Sequence, residues 1–318
     1  MNIGILGSGF GAYHAKLLAQ IKDVDKIVVF GRNPSKLTQL RDKLGVTVTS
    51  SADDILLDPS IDAVDICLPS SLHSRFAVEA VKQGKHVFCE TPVCCGLEEA
   101  ELMRKAAEEH GRLILVNQFI KFDPAYAYLH KAVQNRTYGK LLSVSLFRET
   151  PPLWGNLGLD AIAVKLMIHE LDMLTWLLEA PELMNLWGSQ PVDRPEQSLV
   201  RAFYQSRGTF AEVLASSQMP EAYPFTVGYD AYFEEGKLSY RESDGNGQIH
   251  SSLQEYTPSG ERVLSLTPVN PYEASLKHAL ECFAKPGESL LTLEQAARSL
   301  RLALQLESQL APDQTNRT

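Results

Sequence analysis

The chain opens Met1-Asn2-Ile3-Gly4-Ile5-Leu6-Gly7-Ser8-Gly9-Phe10-Gly11-Ala12: an apolar run, a glycine-rich turn and the start of a helix. A peptide of this form puts backbone amides beneath a pyrophosphate at a helix N-terminus. Gly7 permits the tight turn, Gly9 lets the chain approach the phosphates, and Ala12 leaves room for the helix to pack on the sheet; Phe10 and Gly11 complete the cradle. The flanking residues agree. Ala12, Ala15, Leu18 and Ile21 form one apolar helical face, and Lys26-Ile27-Val28-Val29-Phe30 reads as a second strand. An isolated G-x-G-x-x-A carries little weight, but strand, turn, helix and second strand together specify a dinucleotide site.

Strands and helices then alternate. Asn33-Pro34-Ser35-Lys36 opens a helix with Leu37, Leu40 and Leu44 on one face, and Val46 to Val48 returns to the sheet. A short helical piece starts at Asp53. The central strand, Ala63 to Leu68, is stopped by Pro69, which cannot continue a ladder. A helix follows with Phe76, Ala77, Ala80 and Val81 on its apolar side. Then come strand His86 to Cys89, helix Leu97 to His110 and strand Arg112 to Val116. This rhythm gives a mostly parallel sheet covered on both faces, with ligands at the carboxyl ends of its strands. Leu68, Pro69, His73, Glu90, Thr91, Pro92 and Asn117 should line one rim with the glycine turn.

From about residue 121 the pattern changes. Helices are expected at Pro124 to Gln134, Asp160 to Glu179, Tyr272 to Phe283 and Leu293 to Leu310, the last opened by a Thr292/Gln295 capping box. Strands are expected at Leu141 to Phe147, Leu199 to Tyr204, Thr209 to Ala215, Phe225 to Phe233, Leu238 to Arg241, Ile249 to Tyr256 and Val263 to Leu266. The fold class is therefore α/β: a Rossmann domain followed by an α+β domain with a large, mostly antiparallel open sheet. The expected division is 1–120 for dinucleotide binding, 121–290 for substrate binding and oligomerisation, 291–310 as a C-terminal helix and 311–318 as a disordered tail.

Composition narrows the function classes. With 318 residues, 44% of them hydrophobic, the chain has material for two domains. Five irregularly spaced cysteines read as reduced thiols, and the first strand begins too early for a signal peptide, so a cytoplasmic protein is expected. A formal charge of −9 argues against nucleic acid or anionic lipid as a partner, and no apolar run is long enough for a membrane span.

The helix expected at 160–179 holds Lys165, His169 and Asp172 at i, i+4 and i+7, on a single face. Three ionisable groups stacked in a core would cost several kcal/mol if unpaired, so they should line a cleft. Histidine suits removal of a hydroxyl proton because its pKa lies near neutrality, and a nearby lysine polarises a carbonyl. The plainer alternative makes His169 a packing residue held by Asp172, with Lys165 on the surface. No metal is expected: His169-Glu170-Leu171-Asp172-Met173 lacks the second histidine of a zinc helix, and Cys94-Cys95 lacks ligand spacing. His73 could touch cofactor or merely cap.

The chain resembles the family of glucose–fructose oxidoreductase, inositol dehydrogenase and MocA-like proteins. The resemblance rests on the glycine turn with His14, on Ala63 to Ser70 with His73, on His86 to Pro92, on Lys121-Phe122-Asp123-Pro124 and on Leu166 to Asp172. It implies oxidation or reduction of a hydroxyl or carbonyl on a sugar, polyol or related small molecule. It also implies a homo-oligomer, dimer or tetramer, built through the second-domain sheet. Two positions depart from it. Where such enzymes usually carry a catalytic lysine this chain has Thr91, and four residues before the histidine, where they usually carry an aspartate, it has Lys165. A relocated cation, Lys165 or Lys121, is one reading; a catalytically weak or inactive NADP-binding sensor is the other. Gly31-Arg32-Asn33, with Lys36 beyond, offers a guanidinium instead of a carboxylate at the end of the second strand, which favours NADP over NAD, although Arg32 could equally stack on adenine and accept either nucleotide. Trp154 could pack on a sugar ring or serve equally as structural packing.

Overall fold

The computed structural model describes residues 1–310 other than Trp154, Asn246 and Pro286. The expectations for Trp154 and for the tail 311–318 lie outside the described residues. The chain divides into two units, residues 1–122 with 269–297, and residues 123–268 with 298 onward.

In the first unit the elements run β1 (Asn2–Leu6), α1 (Gly11–Leu18), β2 (Lys26–Phe30), α2 (Pro34–Leu44), β3 (Thr47–Thr49), α3 (Asp53–Leu56), β4 (Ala63–Ile66), α4 (His73–Lys82), β5 (His86–Cys89), α5 (Leu97–Glu109) and β6 (Ile114–Val116). The six strands pair in parallel in the order β3-β2-β1-β4-β5-β6. The order reverses between β1 and β4, which is where sheets of this kind bind dinucleotides. The central strands are buried along both faces, which is why they read as unbroken apolar runs. Local chemistry fixes the start of α2: Asn33 accepts the Lys36 amide, Pro34 occupies the first turn, and Gly45 ends the helix in the left-handed region.

The second unit contains α6 (Pro124–Gln134), β7 (Leu141–Glu149), α7 (Ile162–Lys165), α8 (Ile168–Leu177), β8 (Glu182–Ser189), β9 (Leu199–Ser206), β10 (Thr209–Ser216), β11 (Phe225–Phe233), β12 (Lys237–Gly245), β13 (Gln248–Thr257) and β14 (Gly260–Leu264). Its eight strands are ordered β14-β13-β12-β11-β7-β10-β9-β8. All neighbours are antiparallel except β7 and β10, which run parallel at the centre. Asp123 repeats the start seen at α2, accepting the Ala125 and Tyr126 amides with Pro124 next to it.

Two expectations are corrected here. The helix read across 160–179 is two pieces, because the Leu166 and Met167 amides both bond the Ile162 carbonyl at 2.9 Å, which breaks the helical ladder at the C-cap of α7 before α8 begins. Edge strand β8 was not foreseen. The division also differs from a second domain running to residue 290. Helix α9 (Pro271–Ala284) and Leu291 belong to the first unit, where Leu276, Ala279, Cys282, Phe283 and Leu291 share a core with Ile3, Ile5, Leu18 and Phe88. The final helix, α10 (Leu293–Leu310), is opened by the reciprocal Thr292/Gln295 amide bonds, each 3.3 Å. No helix among the described residues is long and apolar enough to cross a membrane.

Candidate functional site

In the first unit the three turn glycines differ in what they require. Gly7 has φ +121° and donates to the Phe30 carbonyl at 3.0 Å; an added Cβ would lie 2.5 Å from the Cys67 carbonyl oxygen. A Cβ on Gly11 would lie 2.8 Å from Ile5 Cγ2, so Gly11, and not Ala12, is the residue that lets α1 pack against the sheet. A Cβ on Gly9 would meet no protein atom within 4 Å. The protein itself therefore makes no demand for glycine there, and the open space is where a phosphate can approach. No side chain caps α1 at Phe10, which is exposed and leaves the helix N-terminus to a ligand. A close approach at Gly31 escaped the sequence reading: a Cβ there would strike Ser8 Oγ at 2.5 Å.

Arg32, Asn33 and Lys36 are exposed together after β2, and the Asn33 side chain is committed to the Lys36 amide at 3.1 Å. Along the rim, His73 is buried, with its ring nitrogens 2.6 Å from the Leu68 carbonyl and 3.0 Å from the Pro92 carbonyl. It joins the loops that contain Pro69 and the cis Thr91–Pro92 peptide. Glu90 accepts the Asn117 side-chain amide at 2.6 Å and the Thr91 backbone amide at 3.1 Å. Thr91 Oγ1 donates to the Asn117 carbonyl at 2.9 Å, and Ser275 Oγ donates to Asn117 Oδ1 at 2.7 Å.

Behind this rim lies a buried charge cluster that no spacing revealed. His14 Nδ1 is 2.8 Å from Asp65 Oδ2, and its Nε2 is 3.1 Å from Glu90 Oε1. The Glu90 contact is an ion pair without hydrogen-bond alignment, since Nε2 has no hydrogen-bond partner. Burial alone would depress the His14 pKa, but the Asp65 carboxylate and the Cys67 sulfur beside it outweigh that and hold it raised. Cys67 Sγ lies 3.5 Å from both His14 Nδ1 and Asp65 Oδ1. These three residues offer metal-type donors within 4.8 Å of one another, yet the same atoms already bond to each other.

Lys121 is buried in the first unit. Its ammonium donates to Gln118 Oε1 at 2.9 Å, to the Leu290 carbonyl at 3.0 Å and to Gln295 Oε1 at 3.5 Å, fastening the returning chain.

In the second unit Asp172 and Glu170 are buried and His169 is half-buried on α8. Arg148, inward-facing on β7, meets Glu170 through Nε at 2.9 Å to each carboxylate oxygen. Burial, and then the Arg148 charge, hold the His169 imidazole well below the usual histidine range, so it is neutral at physiological pH. Lys165 does not stack on His169 along one helix. It ends α7, is exposed, and donates to the Asn156 carbonyl at 3.2 Å. The pair that the sequence missed, Arg148 and Glu170, had one local sign: Arg148 falls on the same inward parity as Val144 and Leu146.

Residues 1–118 match the model of the Gfo/Idh/MocA oxidoreductase family, NAD-binding Rossmann fold. That match takes in the first 118 of the 318 residues. It is 29% identical over 199 residues to myo-inositol 2-dehydrogenase of Thermotoga maritima, covering 61% of this chain and 60% of that protein. It is 32% identical over 183 residues to scyllo-inositol 2-dehydrogenase (NAD(+)) of Bacillus subtilis, covering 55% and 53%. These matches thus span between about half and three-fifths of the relatives' own lengths. An oxidoreductase from Agrobacterium radiobacter, solved with NAD+, L-tartaric acid and magnesium, shares the fold at a TM-score of 0.83 and 16% identity, covering 96% of this chain and 94% of that one. The Gfo/Idh/MocA match spans the glycine turn and the β3-β2-β1-β4-β5-β6 sheet; the second unit shares the fold of the solved structure without close sequence similarity.

Proposed function

We propose that the chain is an NAD(P)-dependent oxidoreductase acting between the hydroxyl and carbonyl forms of a sugar, polyol or related small molecule. The observation that carries this is Gly9, a glycine with open space around its missing Cβ, at an uncapped helix N-terminus at the switch point of a parallel sheet. When bound, the nicotinamide supplies the hydride donor or acceptor. His169 is the acid–base group: its neutral imidazole takes the proton of a substrate hydroxyl and returns it in the reverse direction. Asp172 and the Arg148–Glu170 pair hold that helix face in a fixed electrostatic setting. Arg32 and Lys36, exposed after β2 with no carboxylate in the Gly31-Arg32-Asn33 turn, favour a 2′-phosphate and hence NADP. The names of the two inositol dehydrogenases support a polyol substrate.

The test is a screen of NADP and NADPH, with NAD and NADH beside them, against sugars, polyols, inositols and their keto forms, read by the absorbance of reduced nicotinamide. Turnover with one of these supports the reading. A second reading, a nucleotide-binding sensor, is favoured by a specific observation: position 91, where the resemblance implies a catalytic lysine, is a threonine bonded to the Asn117 carbonyl, and Lys121 and Lys165 are both bonded elsewhere. Retained nucleotide binding without turnover across the screen would establish it over the enzyme.

We further propose that a second copy of the chain covers the open face of the second unit's sheet. Trp187, Arg201, Leu214 and Phe147 fall in register across β8, β9, β10 and β7 on that face, with Phe203 and Phe210 alongside. Trp187 and Phe210 are more than half exposed. All five cysteines are free, as a reducing compartment leaves them, and we assign the protein to the cytoplasm.

A further inference from the structure

The dinucleotide crevice of this sheet order has a distinct electrical character. The adenosine half of a dinucleotide belongs to the β2 side of the switch point, so the nicotinamide half belongs to the tips of β4 and β5. Those tips carry Asp65, one residue before the end of β4, and Glu90, immediately after β5. His14 bridges them at 2.8 and 3.1 Å. His14 and Asp65 are buried and Glu90 is largely so, and one imidazolium between two carboxylates leaves one net negative charge. Thr91, next to Glu90, contributes no cation, and its hydroxyl is turned to the Asn117 carbonyl. The neighbouring cation after β6, Lys121, gives its ammonium to Gln118, Leu290 and Gln295.

We propose that this uncompensated negative charge at Asp65, His14 and Glu90 makes the site hold oxidised nicotinamide in preference to reduced, and so shifts the equilibrium between the enzyme-bound species toward the reduced substrate. The inference rests on the nucleotide-binding reading above and adds a direction to it. In carbonyl reduction the substrate carbon receives a hydride with its electron pair, the carbonyl oxygen receives a proton, and the ring left behind is a cation. A negative environment stabilises that cation and not the neutral reduced ring. Asp65, His14 and Glu90 are positioning residues here, acting by their field.

The test is the ratio of dissociation constants for NADPH and NADP+, with NADH and NAD+ as a second pair. Each is measured by titration on the intact protein without substrate. Glu90→Gln should lower the ratio Kd(NADPH)/Kd(NADP+) by about tenfold, because a unit charge acting over several ångströms in a partly buried site is worth that much. A tenfold shift corresponds to about 30 mV in the bound couple. Thr91→Lys, which adds a cation on the half-exposed rim without touching the buried cluster, should shift the ratio in the same direction. His14→Gln should shift it the opposite way. Both nucleotides binding with a ratio unchanged within about twofold in Glu90→Gln and Thr91→Lys would overturn the inference and leave nucleotide binding intact. Failure of wild-type protein to bind either pair would overturn the nucleotide-binding reading, and the inference with it.

Discussion

Arg148 holds the buried carboxylate of Glu170 through Nε at 2.9 Å to each oxygen, one residue along the chain from His169. The pair joins β7 to α8 and sets the charge beside the candidate acid–base group. Glu170 is fully buried and Arg148 nearly so, and a charge left there alone would be expensive. Arg148→Met or Glu170→Leu singly should therefore cost about 3–5 kcal/mol in urea unfolding. The double substitution should recover most of that loss. A loss in the double variant equal to the sum of the two single losses would show that the pair is not coupled.

His169 should act as a base from neutral pH downward. Its folded pKa is depressed, so the acid limb of kcat/KM should fall below the usual histidine value of about 6.5. The same depression has a sign in stability. The unfolded chain takes up a proton at this site before the folded one does, so the contribution is complete above about pH 6.5 and is lost as pH falls further. His169→Asn should flatten that part of the stability–pH curve and lower kcat by about 100-fold or more. An acid limb at ordinary histidine values would contradict the structure.

Gly7 and Gly9 should separate folding from binding. Gly7→Ala places a Cβ against the Cys67 carbonyl at positive φ and should cost about 1–3 kcal/mol or more. Gly9→Ala meets no protein atom, so its melting temperature should match the wild type while its nucleotide affinity drops. Melting curves and nucleotide titrations on the two variants give the comparison; equal affinity in Gly9→Ala and wild type would remove Gly9 from the site.

Lys121 and Lys165 should behave in opposite ways. Lys121→Met strands the Gln118, Leu290 and Gln295 acceptors and should destabilise by about 1–3 kcal/mol. Lys165→Ala, at an exposed helix end, should change stability by less than about 0.5 kcal/mol and leave turnover intact. Loss of turnover in Lys165→Ala with nucleotide affinity retained would revive the idea of a relocated cation.

If a second copy covers the open sheet face as proposed, Phe210→Glu should lower the mass measured by light scattering after gel filtration. An unchanged mass would move the interface elsewhere.

Most of the first unit was legible because a parallel sheet buried on both faces writes its strands as apolar blocks, and Asn33-Pro34 and Gly45 mark a helix by local chemistry. What escaped was non-local. His14, Asp65 and Glu90 meet across three elements, and Arg148 meets Glu170 across 22 residues, so no window of sequence contains either set. The break at Leu166 was hidden for a different reason. Leu166, Met167 and Ile168 are all buried, and an unbroken apolar run carries no phase by which a helix end could be seen. Strand β8 lies at the sheet's edge with half of its residues exposed and none fully buried, which blurs the alternation a strand is recognised by.

The return of residues 269–297 to the first unit bears on how the nucleotide-binding half could be prepared by itself. A fragment ending at Phe122 would lack Leu276, Ala279, Phe283 and Leu291, leaving Ile3, Leu18 and Phe88 without their cover and Lys121 without the Leu290 carbonyl. A workable excision would have to carry the later stretch too, spliced after Phe122 through a short linker.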